Sequence, residues 1–139
     1  MEKLLNKWAE EIHNNAVAHG WWDDGRSFGD IVALCHSELS EALEEYRAGR
    51  PLLWYACREV EMPVGICNPA EGFDCLAYGK EESCKWRGTK PEGIAVEMID
   101  CIIRILDWCA KEGVDVDNLL QMKHEYNRTR PYRHGGKLL

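Results

Sequence analysis

The sequence contains no apolar run approaching the ~18 residues that cross a bilayer. Its first eight residues, Met1 to Trp8, are interrupted by Glu2, Lys3, Asn6 and Lys7 and do not build the apolar core of a signal peptide. A cytoplasmic protein without a membrane partner is therefore expected. The chain also lacks a cationic surplus. Seventeen Lys and Arg stand against 24 Asp and Glu, a net charge of −7, which argues against nonspecific binding to duplex nucleic acid or an anionic membrane but leaves local nucleotide binding open. Internal repeats and low-complexity tracts are absent. At 139 residues the chain is long enough for one domain with a core and short for two, so a single domain over 1–139 is expected.

Cysteine is plentiful, but the spacing of common zinc sites is missing. Of seven cysteines, Cys35, Cys101 and Cys109 lie among apolar residues and read as small buried hydrophobes. The others, Cys57, Cys67, Cys75 and Cys84, are separated by nine, seven and eight residues and form no Cys-x-x-Cys knuckle. In a reducing compartment these four are either zinc ligands or free thiols.

What the chain does contain is helical periodicity. Leu4, Leu5, Trp8, Ile12 and Val17 predict a helix from about Glu2 to His19, stopped by Gly20. A turn-rich connector follows, in which Trp21 and Trp22 either cap a bundle end or stack on a base. A second helix is predicted from Gly29 or Asp30 to Ala48, with Ile31, Leu34, Leu39, Ala42, Leu43 and Tyr46 on its apolar face. Residues from about 50 to 92 break the pattern with four of the five prolines and form an irregular insertion. A third helix is predicted from Glu92 to Glu112. A fourth runs from Val116, with Asp115 as N-cap, to about Arg128, before Pro131. The expected fold is all-α: a four-helix bundle-like domain with a long cysteine-containing insertion between helices two and three.

Two acid pairs stand out on these helices. Glu38 and Glu41 lie on the second; Glu97 and Asp100 lie on the third, in an otherwise almost wholly apolar run from Gly93 to Cys109. Glu97, Asp100 and Arg104 fall within a roughly 60° arc. A helix apolar nearly all round is normally a central one, so this stripe is either a thin solvent-facing seam or a buried site in which the charges are paired, neutralised or metal-bound. Oxygen-only ligands select hard cations, Mg²⁺ or Mn²⁺. Lys123, Asn127 and Arg130 share one side of the last helix if it persists that far, and a basic tail continues through Arg133 to Lys137. Such a tail is either solvated or a source of cations for a polyphosphate. A ferritin-like di-iron bundle would need two Glu-x-x-His motifs, and only Glu10-x-x-His13 is present.

Taken in order, Glu38-x-x-Glu41, Glu97-x-x-Asp100 and Lys123-x-x-x-Asn127-x-x-Arg130 resemble the motifs of the MazG-like all-α nucleoside triphosphate pyrophosphohydrolases, relatives of the dimeric dUTPases and dCTP pyrophosphatases. The resemblance covers the four helices. It implies a Mg²⁺-dependent hydrolase, with Mn²⁺ as a substitute, that cleaves a nucleoside triphosphate between its α and β phosphates. Glu38, Glu41, Glu97 and Asp100 would bind metal, and Glu38 or Glu41 would activate the attacking water. Lys123, Asn127, Arg130 and Arg133 would hold the phosphates, and His13 and Trp22 would contact the base. The resemblance also implies a homodimer or a dimer of dimers, in keeping with the apolar third helix and with Trp8, Trp21 and Trp54. Two departures are visible. Ser37 stands where the family often carries a further acid, with Glu45 one turn on, and the stretch between Glu41 and Glu97 is longer than in compact relatives. A non-catalytic reading also exists: a helical dimer scaffold carrying a zinc-organised interaction module built on the four insertion cysteines.

Overall fold

The computed structural model describes residues 3–56 and 90–138. The described residues are mostly helical. In chain order they form α1 (Leu4–Ala18), α2 (Phe28–Arg47), β1 (Trp54–Ala56), β2 (Lys90–Glu92), α3 (Ile94–Lys111), α4 (Val116–Arg128) and a four-residue turn, α5 (Arg133–Gly136). Among them no helix is long and apolar enough to cross a membrane. Cys57, Cys67, Cys75 and Cys84 lie outside the described residues.

The helix ends follow from local chemistry. Ser27 Oγ accepts from the Asp30 amide at 3.1 Å while the Asp30 carboxylate accepts from the Ser27 amide at 2.9 Å. This reciprocal capping starts α2 at Phe28, slightly ahead of the expected Gly29 or Asp30. The predicted glycine stops close in the same way three times. Trp21 N–H donates to Ala16, Arg50 to Glu45 and Val114 to Cys109, each satisfying a carbonyl that the helix end would orphan. α4 begins as predicted, with Asp115 accepting from the Asn118 amide at 3.2 Å.

The insertion opens and closes on a strand pair that periodicity did not announce. β1 and β2 run antiparallel, with Trp54 opposite Glu92 and Ala56 opposite Lys90. Three-residue strands are too short for an alternating pattern, and Pro91 argues against a strand except at an edge.

The chain divides into two compact units, residues 1–31 with 103–139, and residues 32–102. In the first, Ala9, Ile31, Leu106, Cys109 and the carboxylate-bearing Asp107 are buried. In the second the buried positions include Ala42, Cys101, Glu38 and Glu97. Cys101 and Cys109 are thus the small buried thiols expected, whereas Cys35 is only half-buried.

The polarity of α3 decides between the two readings of its acids, the solvent-facing seam and the buried site. A solvent-facing acidic stripe on a central apolar helix would have exposed Glu97 and enclosed its isoleucines. Instead Glu97 and Asp107 are each 7% exposed, while Met98, Ile99, Ile102, Ile103 and Ile105 are 37–52% exposed. Within one chain, α3 turns its acids inward.

Candidate functional site

Glu38 and Glu41 sit one turn apart on α2, so both project from one face. Glu97, in the first turn of α3, completes a group in which one carboxylate oxygen from each residue lies within 4.8 Å of the others. Glu38 and Glu97 are buried and Glu41 is exposed. Burial, then the charges of Glu41, Asp100, Glu92 and Glu38, push the Glu97 carboxyl up to about 7. Three acids this close, two out of solvent, repel one another unless a proton or a cation intervenes. Their oxygen donors fit a hard divalent ion, and this acidic triad could hold a metal ion.

Backbone geometry fixes where Glu97 begins. The Gly93 carbonyl accepts from the Val96 and Glu97 amides, at 2.9 and 3.1 Å, and the Ala95 amide donates to Leu52 O at 2.9 Å. Gly93 has φ +115°, and a Cβ there would lie 2.7 Å from the Leu52 carbonyl oxygen and 2.9 Å from that of Pro51. Only glycine lets the 51–52 backbone approach the head of α3 this closely.

Asp100 stands outside the tight triad; it is half-buried, and its charge still raises the Glu97 pKa. Three further residues were not assigned from sequence. Ser37 Oγ donates to Glu41 Oε1 at 3.2 Å, one helical turn away, so the serine steadies the exposed member of the triad. Lys90 pairs with Glu92 and feels the charges of Glu97 and Asp100, which brings a cation into the acidic neighbourhood from the end of the insertion. Glu45 is engaged elsewhere: it accepts from Trp54 Nε1 at 2.8 Å and lies 3.7 Å from Arg50 Nε, whose guanidinium covers the Trp54 ring.

In the other unit, His13 and Trp22 do come together, and what joins them is Asp107. Asp107 Oδ1 is 2.6 Å from His13 Nδ1 and accepts from Trp22 Nε1 at 3.0 Å, with Oδ2 at 3.2 Å. The two rings meet edge to face, centroids 5.6 Å apart. Asp107 is buried and joined to both rings by hydrogen bonds. The sequence signal for it was its place on the same α3 stripe as Glu97.

The phosphate-binding candidates are all on this unit's surface or near it. Lys123 is exposed, with its ammonium 4.9 Å from the Tyr126 ring centroid, and Asn127 is exposed. α4 ends at Arg128 with Thr129 as C-cap, so Arg130 lies past the helix and does not continue one helical face as the spacing had allowed. Arg133 begins a turn whose four residues all have positive φ, and it stacks on Tyr132.

Comparison with known proteins found no matching family model, no matching curated protein and no matching solved structure.

Proposed function

We propose that the protein is a Mg²⁺-dependent nucleoside triphosphate pyrophosphohydrolase that releases a nucleoside monophosphate and pyrophosphate. The observation that carries this reading is the Glu38, Glu41, Glu97 triad: acids from two helices, within 4.8 Å, with two of the three buried. Glu38, Glu41 and Glu97 hold the ion, with Asp100 as the fourth acid. Mg²⁺, or Mn²⁺ in its place, supplies charge neutralisation for phosphate oxygens and a more acidic water. Glu41 is the exposed member and is oriented through Oε1 by Ser37, so its carboxylate is the group placed to take the proton of the attacking water. As that oxygen bonds to the α-phosphorus, the bond to the bridging oxygen breaks and pyrophosphate departs. Lys123, Asn127, Arg130 and Arg133 bind the phosphates; His13 and Trp22 serve the base.

The working partner is a second copy of the chain, as a homodimer or dimer of dimers. The exposed α3 isoleucines, with Leu39 and Leu43 on α2 at 44 and 55% exposure, support this. Sedimentation of the purified protein reads the assembly directly, and a monomer at micromolar concentration overturns it.

The activity is tested by incubating the protein with NTPs and dNTPs plus Mg²⁺ and identifying the products. Pyrophosphate and a monophosphate are expected, and Glu97→Gln is expected to abolish both. Absence of pyrophosphate from every nucleotide, or full activity in Glu97→Gln, sinks the reading and leaves the scaffold alternative.

A further inference from the structure

Within the unit of residues 32–102, β2 carries a cation toward the acids of α3. Alternate residues of a strand share a face, so Lys90 and Glu92 stand side by side on β2, with Pro91 turned the other way. Trp54 lies opposite Glu92 in the ladder. Its indole N–H donates to Glu45 at 2.8 Å, and the Arg50 guanidinium is engaged with Glu45 and the Trp54 ring. The half-buried Glu92 carboxylate takes its countercharge from the Lys90 ammonium instead. The Lys90 side chain, opposite the small Ala56, is 69% exposed.

The same ammonium acts beyond Glu92. Past the Gly93 bend the first turn of α3 brings up Glu97, and Lys90 feels the charge of Glu92 first, then those of Glu97 and Asp100. Glu92 in turn belongs with Glu41, Asp100 and Glu38 to the acids whose charges push the Glu97 carboxyl up. Five carboxylates therefore oppose one another here, and Lys90 is a positive charge set among them. Its pairing with Glu92 holds the ammonium above the ordinary lysine range, so the charge is present throughout the neutral range. A permanent cation beside an acid cluster has two effects of opposite sign. It relieves repulsion when no metal is bound, and it repels a divalent ion that arrives.

We propose that Lys90 is the resident counter-cation of the Glu38, Glu41, Glu97 cluster: held on β2 by Glu92, it stabilises the metal-free chain and sets a ceiling on divalent-cation affinity. This rests on the metal-binding part of the function proposed above, not on the nucleotide chemistry. The charge of the side chain carries the effect, and its shape does not. Lys90→Arg keeps the charge; Lys90→Met keeps most of the apolar stem and removes the charge. Arg47→Met is the control. It removes one positive charge from the same unit, where Arg47 pairs with Glu44, which is not among the acids that act on Glu97.

Calorimetric titration of the full chain with MgCl₂, and separately with MnCl₂, at pH 8 and low ionic strength reads the affinity. Lys90→Met is expected to bind each ion about fivefold more tightly than wild type. The gain is expected to shrink at about 0.5 M NaCl, because an exposed ammonium is screened. Lys90→Arg and Arg47→Met are expected to stay within about twofold of wild type. Melting supplies the second arm. In EDTA at the same pH, Lys90→Met is expected to melt about 2 °C below wild type, and added Mg²⁺ is expected to raise its Tm by more. A lysine that merely pins β2 through Glu92 would lower the melt with and without Mg²⁺ alike and leave the Kd unchanged. That result overturns the proposal, as does tightening of equal size in Arg47→Met, which would make overall charge the cause. Lys90→Gln serves if Lys90→Met does not fold. Failure of both wild type and variant to bind either ion overturns the proposal together with the metal reading.

Discussion

Asn6 and Asp117 cap each other's helices. Asn6 Oδ1 accepts from the Val116 amide at 2.7 Å and the Asp117 amide at 3.4 Å at the head of α4. The Asp117 carboxylate accepts from the Leu5 and Asn6 amides at 3.3 and 2.7 Å at the head of α1. Two helix N-termini, 110 residues apart in sequence, thus satisfy their orphan donors from one another's side chains. Asn6→Ala is expected to cost about 1–2 kcal/mol, read as a lower urea midpoint with an unchanged m-value. An unchanged midpoint would mean that water replaces the cap without loss.

Gly93→Ala strikes the head of α3. The new Cβ would meet the Leu52 and Pro51 carbonyl oxygens and require positive φ of a residue that disfavours it. A loss of more than about 1–2 kcal/mol is expected. Because the first turn of α3 carries Glu97, Mg²⁺ affinity should fall as well, whereas Gly25→Ala, which meets no neighbouring atom within 4 Å, should leave Mg²⁺ affinity unchanged. Thermal melts with and without Mg²⁺ on both variants test this.

Glu97 makes metal-free stability depend on pH in an unusual direction. The folded chain holds its proton up to about 7, against an ordinary 4.5, so between those values it binds more protons than the unfolded chain. The stabilisation is fully present below pH 4.5 and is lost as pH rises through 7, a fall on the order of 3 kcal/mol from this group. Denaturation in EDTA at pH 5 and pH 8 should show the drop. Glu97→Gln should flatten it, and Mg²⁺ should raise the wild-type midpoint more at pH 8 than at pH 5. Equal slopes in wild type and variant would assign the effect to another group.

Ser37 and Glu45 can be told apart by activity. Ser37→Ala removes the donor to Glu41 and is expected to lower kcat about tenfold with little change in KM, the worth of one exposed hydrogen bond made to a charged group. Glu45→Gln keeps an acceptor for Trp54 Nε1 and should leave pyrophosphate release within about twofold of wild type. The reverse pattern would make Glu45 the compensating acid.

Helix extents were legible because their signals are local. Glycine stops, the Asp115 cap and helical apolar spacing act over a few residues, and the ends of α4 fall close to the expected Val116 and Arg128. The acid triad was also legible, since i, i+3 spacing determines a face before any tertiary contact exists. What escaped was decided by partners far away in sequence. Nothing local marks Asp107 as the joint between His13 and Trp22, which lie 94 and 85 residues earlier. The β1–β2 pair joins residues 54–56 to 90–92, and no local pattern announces a pairing across that separation. The exposure of the α3 isoleucines within one chain could not be read from periodicity, which says which residues share a face and not which face is covered.

The β1–β2 pair fixes two distant points of the chain against each other. Ala56 and Lys90 are directly opposed across an antiparallel ladder, where partner Cα atoms lie about 5 Å apart. The strand pair therefore holds the chain at residues 56 and 90 side by side. Loop-closure entropy grows only slowly with length, so the entropic cost of bringing Ala56 opposite Lys90 depends only weakly on how many residues the sequence places between them.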